Sequence, residues 1–316
     1  MIKIENFDNL TLSGITYGGY SGSKKGVLIN NERWFLKYPK STKSMDVDGM
    51  SYTTSPLSEY IGSHIYSLLG FDVHETKLGI ANDKIVVACK DFLNNNETIL
   101  DYNSIKNDYN EIVEQEIEKL SSSKYKSKTD LDEVIIVMNN NYYFKKVPDL
   151  KTRFWDMFII DAFINNNDRN DNNWGLILNH STMELRLSPV YDNGASFYSK
   201  SSDEKIEGIL KDEFKKKQVI YDSSVSQFSK EEKIINPLKF IESLVNDDCN
   251  EALLRVFPKI NLEKIKEIFD NIPSEYNNFS IISDEQRTLY YESLVYKYNK
   301  VFKPIYNKLI ERNIKK

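Results

Sequence analysis

The sequence is short of the side chains on which most metal and nucleophile chemistry depends: its 316 residues include 2 cysteines and 3 histidines. Cys89 and Cys249 lie far apart with no partners at metal-ligand spacing. No zinc site or disulfide framework is readable, and a reducing compartment is the default. A Ser/His/Asp triad or a histidine-rich metal centre would have to draw on His64, His74 or His180, which are scattered and read first as surface or satisfied structural histidines. An excess of basic charge is missing as well. Lysine and arginine number 42 against 47 acids, the formal charge is −5, and the two signs are interspersed, so the chain is no generic nucleic-acid binder. Long apolar runs are absent: the most apolar window, residues 154–164, is interrupted by Asp156 and Asp161, and no membrane insertion is expected. The opening Met1-Ile2-Lys3-Ile4-Glu5-Asn6 carries acid at once and no apolar stretch, unlike a signal peptide; the expected location is cytoplasmic, with export to a host cell left open. What remains is an ordinary globular mixture, 40% hydrophobic and 28% charged, of a length that suits one large domain or two lobes.

The first third alternates strands and tight turns around one helix. Residues 26–29, the turn Asn30-Asn31-Glu32, and residues 33–38 read as a hairpin that Pro39 closes, with Lys37 on the same strand face as Phe35. Ser55 is the expected N-cap and Pro56 the first position of a helix whose apolar stripe is Ile61, Ile65, Leu68 and Leu69, stopped by Gly70. A second hairpin turns through Asn82-Asp83. From about Leu93 the pattern becomes helical: residues 151–164 read as a central apolar helix, 121–128 as a connection, and 261–269 and 285–310 as amphipathic helices. The predicted fold is α+β and bilobal, with a small antiparallel-sheet lobe carrying one helix (1–92) and a larger, mostly helical lobe (93–316).

The chemistry is concentrated in residues 165–194. A polar loop, Asn165-Asn166-Asn167-Asp168-Arg169-Asn170-Asp171-Asn172-Asn173, leads into a hairpin that ends in Asp192-Asn193-Gly194, and folding that hairpin can bring Asp168, Asn173 and Asp192 to one end of it. Phosphoryl transfer can use such a set, because it needs an oriented hydroxyl and neutralised phosphate charge rather than covalent help. Asp168 would orient or deprotonate the hydroxyl, while Asn173 and Asp192 would offer Mg²⁺ the hard oxygens it prefers. A calcium loop beginning at Asp168 fails, since its sixth position is Asn173 rather than glycine and its twelfth is Asn179 rather than glutamate. A surface turn without chemistry is the other alternative. Upstream, Gly18-Gly19-Tyr20-Ser21-Gly22-Ser23-Lys24-Lys25 could lay backbone N–H groups over phosphates, Lys37 could reach them, and Glu59 could hold Lys37. Singly these read as a turn, a solvated strand lysine and a first-turn carboxylate; their order along the chain joins them.

In that order the sequence resembles the HipA-like serine/threonine kinases, a protein-kinase-like fold, and within them the compact CtkA type. The resemblance is carried by Trp155-Asp156-Met157-Phe158, Asn167-Asp168-Arg169, Asn173-Trp174-Gly175, Ser188 to Gly194, Trp34 to Pro39, Ser58-Glu59-Tyr60 and Ile85 to Phe92, across roughly residues 17–198. It implies an ATP- and Mg²⁺-dependent protein kinase. Lys37 would bind ATP phosphates and pair with Glu59, Gly19, Tyr20, Ser21, Gly22 and Ser23 would cover the nucleotide, and Lys90, Asp91 and Phe92 would meet the adenine. Asp168 would be the catalytic base, and Asn173 and Asp192 would bind Mg²⁺. Where related kinases often carry histidine two residues after the catalytic aspartate, Asn170 stands here, and the metal motif is Asp-Asn-Gly rather than Asp-Phe-Gly. Some members phosphorylate a serine in the glycine-rich loop, as Ser21 or Ser23 could be. Longer HipA toxins place an extra subdomain before that loop to contact a DNA-binding antitoxin; 17 residues precede Gly18 here, so an antitoxin partner is not carried over with the rest. Two other classes stay open: a nucleotide-binding pseudokinase acting as an interaction module, and a small-molecule or lipid kinase, whose Asp-Arg-x-x-x-Asn loop is similar.

Overall fold

The computed structural model describes residues 1–18, 24–45, 49–108, 110–119 and 129–314. The chain forms two compact units. The first comprises Met1–Phe92, Val190–Asp222 and Ile260–Tyr298, the second Leu93–Pro189, Ser223–Lys259 and Asn299–Lys316. The first unit is therefore discontinuous, whereas the sequence suggests a single break after residue 92. Backbone pairing explains the return: Val73 bridges Val190 in parallel, with His74 N–H donating to the Val190 carbonyl at 3.1 Å and Val190 N–H to that of Asp72 at 2.8 Å.

Turn chemistry sets the first unit's sheet. Strand β1 (Glu5–Asn6) precedes a hairpin of β2 (Lys24–Ile29) and β3 (Glu32–Lys37), joined by Asn30 and Asn31 at φ 52° and 63°. Helix α1 (Ser55–Leu68) leads to a second hairpin, β4 (Thr76–Ala81) and β5 (Lys84–Lys90), joined by Asn82 and Asp83 at φ 51° and 55°. Two consecutive left-handed residues match the right-handed twist of the flanking strands, and asparagine and aspartate tolerate them better than most side chains. The sheet order is β1-β4-β5-β3-β2.

Directly paired residues share a sheet face, so register sorts the side chains. Trp34, Leu36, Val27, Ile29, Val86 and Ala88 fall on one face and pack into a buried cluster with Phe7 and Ala81. Lys24, Lys37, Phe35 and Cys89 fall on the other, toward α1. Gly79 permits β1 to cross: a Cβ there would lie 2.4 Å from the Glu5 carbonyl oxygen and from the Phe7 ring. α1 starts one residue earlier than the expected cap. Thr54 occupies the N-cap without a side-chain capping bond, because its hydroxyl is used elsewhere, 3.2 Å from the Tyr290 hydroxyl. Gly70, at φ 82°, ends the helix as expected, with Phe71 N–H donating to the Tyr66 carbonyl at 3.1 Å.

In the second unit, β6 (Glu97–Asp101), β7 (Gly175–Asn179) and β8 (Leu185–Leu187) form an antiparallel sheet in the order β6-β7-β8. The expected hairpin before Asp192 is present as β7 and β8, but the mostly helical reading after Leu93 misses β6, whose five residues begin and end with acids and leave too little apolar alternation to register. Helix α2 (Leu150–Ile164) is buried on almost every side. The run read as one helix over 285–310 is two, Asp284–Tyr296 and Lys303–Ile314, joined by π-helical Lys297–Phe302. Among the described residues no helix is long and apolar enough to cross a membrane.

Candidate active site

In the first unit β3 delivers Lys37 to two carboxylates. Its Nζ lies 2.8 Å from Glu59 Oε2 and 2.7 Å from Asp192 Oδ1. Glu59, on the first turns of α1, is 1% exposed, and its other oxygen meets His74 Nε2 at 2.8 Å. Both Glu59 oxygens are thus occupied, which fixes the carboxylate plane in front of the lysine. Burial opposes all three charges, but their attraction outweighs it: Lys37 is held above the ordinary lysine range, and Glu59 and Asp192 below the ordinary carboxylate range. Cys89 completes a buried trio with Glu59 and His74 whose donor atoms lie within 4.8 Å of one another. Burial pushes its thiol up, toward the neutral form that binds metal poorly, and Glu59 is already engaged by Lys37 and His74.

The Asp-Asn-Gly segment is shaped by contacts within the same unit. Asp192 is left-handed at φ 62°. Asn193 is fully buried, and its Nδ2 donates to Ser63 Oγ on α1 at 3.0 Å, so amide hydrogen bonding stands where phenylalanine packing serves other kinases. A Cβ on Gly194 would lie 3.2 Å from Glu59 Oε2 and 3.3 Å from the Ser55 carbonyl oxygen, so a glycine keeps this segment close to α1.

Lys24, read from the sequence only as backbone of the glycine-rich stretch, also brings a charged side chain. It lies directly opposite Lys37 across β2 and β3, and its Nζ donates to the Gly18 carbonyl at 2.8 Å. Gly19, Tyr20, Ser21, Gly22 and Ser23 lie outside the described residues. At the end of β5, the amides of Lys90 and Asp91 donate to the carbonyls of Glu75 and Arg33, both at 2.9 Å, so both amides are already engaged within the sheet. The Lys90 side chain turns to Glu32, at 2.7 Å. Asp91 accepts from the Tyr17 hydroxyl at 2.9 Å, and Phe92 packs against Tyr191 with ring centroids 5.6 Å apart.

In the second unit the loop after α2 is held from inside. Asn165 caps the helix at φ 59°. Arg169 donates through Nε and Nη2 to the two oxygens of Asp161, at 2.8 and 3.0 Å, and through Nη1 to the Asn173 carbonyl at 3.2 Å. Asp161 interrupts the apolar helix in order to receive this arginine, as Asp156 receives Arg255 at 2.7 Å. Asp171 accepts from Lys106 and Thr129, and Trp174 stacks on Tyr102 with centroids 4.6 Å apart. Asn173 Nδ2 donates to the Asp168 carbonyl at 2.7 Å, which leaves its Oδ1 as an acceptor. Asn170, at the position where related kinases often have histidine, donates to Asp168 Oδ1 at 3.2 Å. The Asn173 amide oxygen and, separately, the Asp192 carboxylate, 35% exposed, are each hard oxygens of the kind magnesium takes.

The chain is 34% identical over 259 residues to serine/threonine-protein kinase CtkA of Helicobacter pylori strain J99, an overlap of 81% of this chain and 75% of that one. The crystal structure of a Helicobacter pylori proinflammatory kinase CtkA matches with a TM-score of 0.84 at 31% identity, covering 98% of each chain. A chain of the Shewanella oneidensis MR-1 toxin–antitoxin complex of HipA, HipB and operator DNA matches with a TM-score of 0.53 at 11% identity over 94% of this chain and 70% of that one, a likeness of fold. No family model matches.

Proposed function

This chain belongs to the HipA-like serine/threonine-protein kinases of the CtkA type, and on that premise we propose that it transfers the γ-phosphoryl group of ATP, with Mg²⁺, to a serine or threonine hydroxyl of a protein. The observation that carries the proposal is Lys37 held between Glu59 and Asp192, a cation already aimed and charged where a polyphosphate needs one. In this reading the first unit carries Lys37, Glu59 and Asp192, and the second carries Asp168 and Asn173.

When bound, Mg·ATP supplies the phosphoryl group and the metal charge that offsets its phosphates. Lys37, steadied by Glu59, binds phosphate oxygen. Asp192 and Asn173 would each offer an oxygen to the metal. Asp168 takes the proton of the attacking hydroxyl as the new oxygen–phosphorus bond forms, and the bond from the γ-phosphorus to the bridging oxygen breaks, leaving ADP with the negative charge. Asn170 orients the Asp168 carboxylate through its amide. Phe92 and the carbonyls beside it meet the adenine.

Labelled ATP, Mg²⁺ and candidate proteins should yield phosphoprotein, with autophosphorylation read from the kinase band itself. Asp168→Ala and Asp192→Ala should each abolish both signals. Undiminished transfer by both variants overturns the site assignment.

A further inference from the structure

Lys37 alone carries the phosphate-facing charge in the mechanism above. We propose that Lys24 is a second phosphate-binding cation, so that a nucleoside di- or triphosphate is gripped by a cross-strand pair of lysines. The proposal rests on the kinase reading of Lys37 and Asp192 and extends it.

The β2–β3 register sets Lys24 directly opposite Lys37, an arrangement of like charges that disfavours a strand pair when nothing lies between them. Lys37 takes both nearby carboxylates, Glu59 and Asp192. Lys24 is left with a neutral acceptor, the Gly18 carbonyl at 2.8 Å, and with the Phe35 ring, whose centroid lies 5.6 Å from its Nζ. Burial first and the charge of Lys37 second hold the Lys24 ammonium below the ordinary lysine range, with Asp192 and Glu59 pulling the other way. An ammonium desolvated beside a second ammonium, and joined among the described residues to a carbonyl dipole and a ring, is stabilised by an incoming anion more than a solvated surface lysine would be. The anion must offer several oxygens to reach both cations, which a polyphosphate does and a bare nucleoside does not. A purely structural alternative is that Lys24 only pins the Gly18 carbonyl; it makes no distinction among nucleotides.

Calorimetry on the full chain with Mg²⁺ separates these. Lys24→Met should weaken ATP and ADP by about ten- to hundredfold, the range of one charge-assisted hydrogen bond, and leave adenosine unchanged. Lys24→Arg should retain most of the affinity, because the charge is kept. Nucleotide-free Lys24→Met should melt at or above the wild-type temperature, since a like-charge opposition has been removed. An equal loss for adenosine and ATP, or a lowered melting temperature without nucleotide, assigns Lys24 to structure and overturns the proposal. Wild-type affinity for ATP in Lys24→Met overturns it while leaving the kinase reading intact; failure of the wild type to bind Mg·ATP at all overturns both.

Discussion

Each unit buries an ion cluster, and the two are built on different terms. Arg169 and Asp161 form a closed pair, 2% and 8% exposed, joined by two parallel hydrogen bonds with a third to the Asn173 carbonyl. The planar guanidinium directs three of its donors to fixed neighbours and is itself 2% exposed, so it serves the loop rather than a ligand. Lys37, by contrast, is a point charge shared by two carboxylates, one sealed at 1% exposure and one 35% exposed. An ammonium can exchange one partner without losing the other. The closed pair shapes a loop, and the open cluster keeps a charge ready, so the residue type at each place follows from whether the ion pair must persist or yield.

Three measurements break or sharpen that contrast. The largest effect is expected from Arg169→Met, which strands the buried Asp161 carboxylate and should cost about 3–5 kcal/mol in urea denaturation. A cost below about 1 kcal/mol would mean that the loop is held mainly by the Trp174 stack and Asp171. The second targets the sealed side of the open cluster. His74→Phe removes the partner of Glu59 Oε1 and should cost about 1–3 kcal/mol while lowering phosphoryl transfer, and His74→Gln, which keeps a donor, should recover part of both. Recovery of stability without recovery of transfer would reduce His74 to packing. The third effect is smaller and depends on sign. Glu59 and Asp192 titrate below their unfolded values, so their stabilisation is complete above the ordinary carboxylate range, near pH ~4, and is lost as pH falls through the depressed native values. In Lys37→Met burial acts on both without the lysine, so acidification should cost that variant less than the wild type between about pH 6 and 3. Parallel melting curves across that range would deny Lys37 its part in the coupling.

Much of this was readable in the sequence because short-range rules governed it. Lys37 follows from a strand, Glu59 from the first turns of a Pro-initiated helix, and Asp168 and Asn173 from one loop. Lys24 was within reach too: a two-residue turn at Asn30-Asn31 pairs Ile29 with Glu32, and counting back pairs Lys24 with Lys37. His74 was not, since it sits in a bend between α1 and β4, fixed by backbone pairing to Val190, a segment remote in sequence. Asn193 was hidden for the same reason, its partner Ser63 lying 130 residues earlier. Strand β6 was missed because its five residues carry little apolar alternation, and its partner β7 comes far later in the chain.

The turn Asn30-Asn31 stands at a solvent-exposed tip, where a domain ordinarily accepts an inserted residue without penalty. Here the tip works as a ruler. An added residue between Ile29 and Glu32 that the turn did not absorb would slip the pairing by one step and send either Lys24 or Lys37 through the sheet to the side occupied by Trp34 and Leu36. A position that looks unconstrained in composition is therefore constrained in length. An epitope or fluorophore belongs in some other loop.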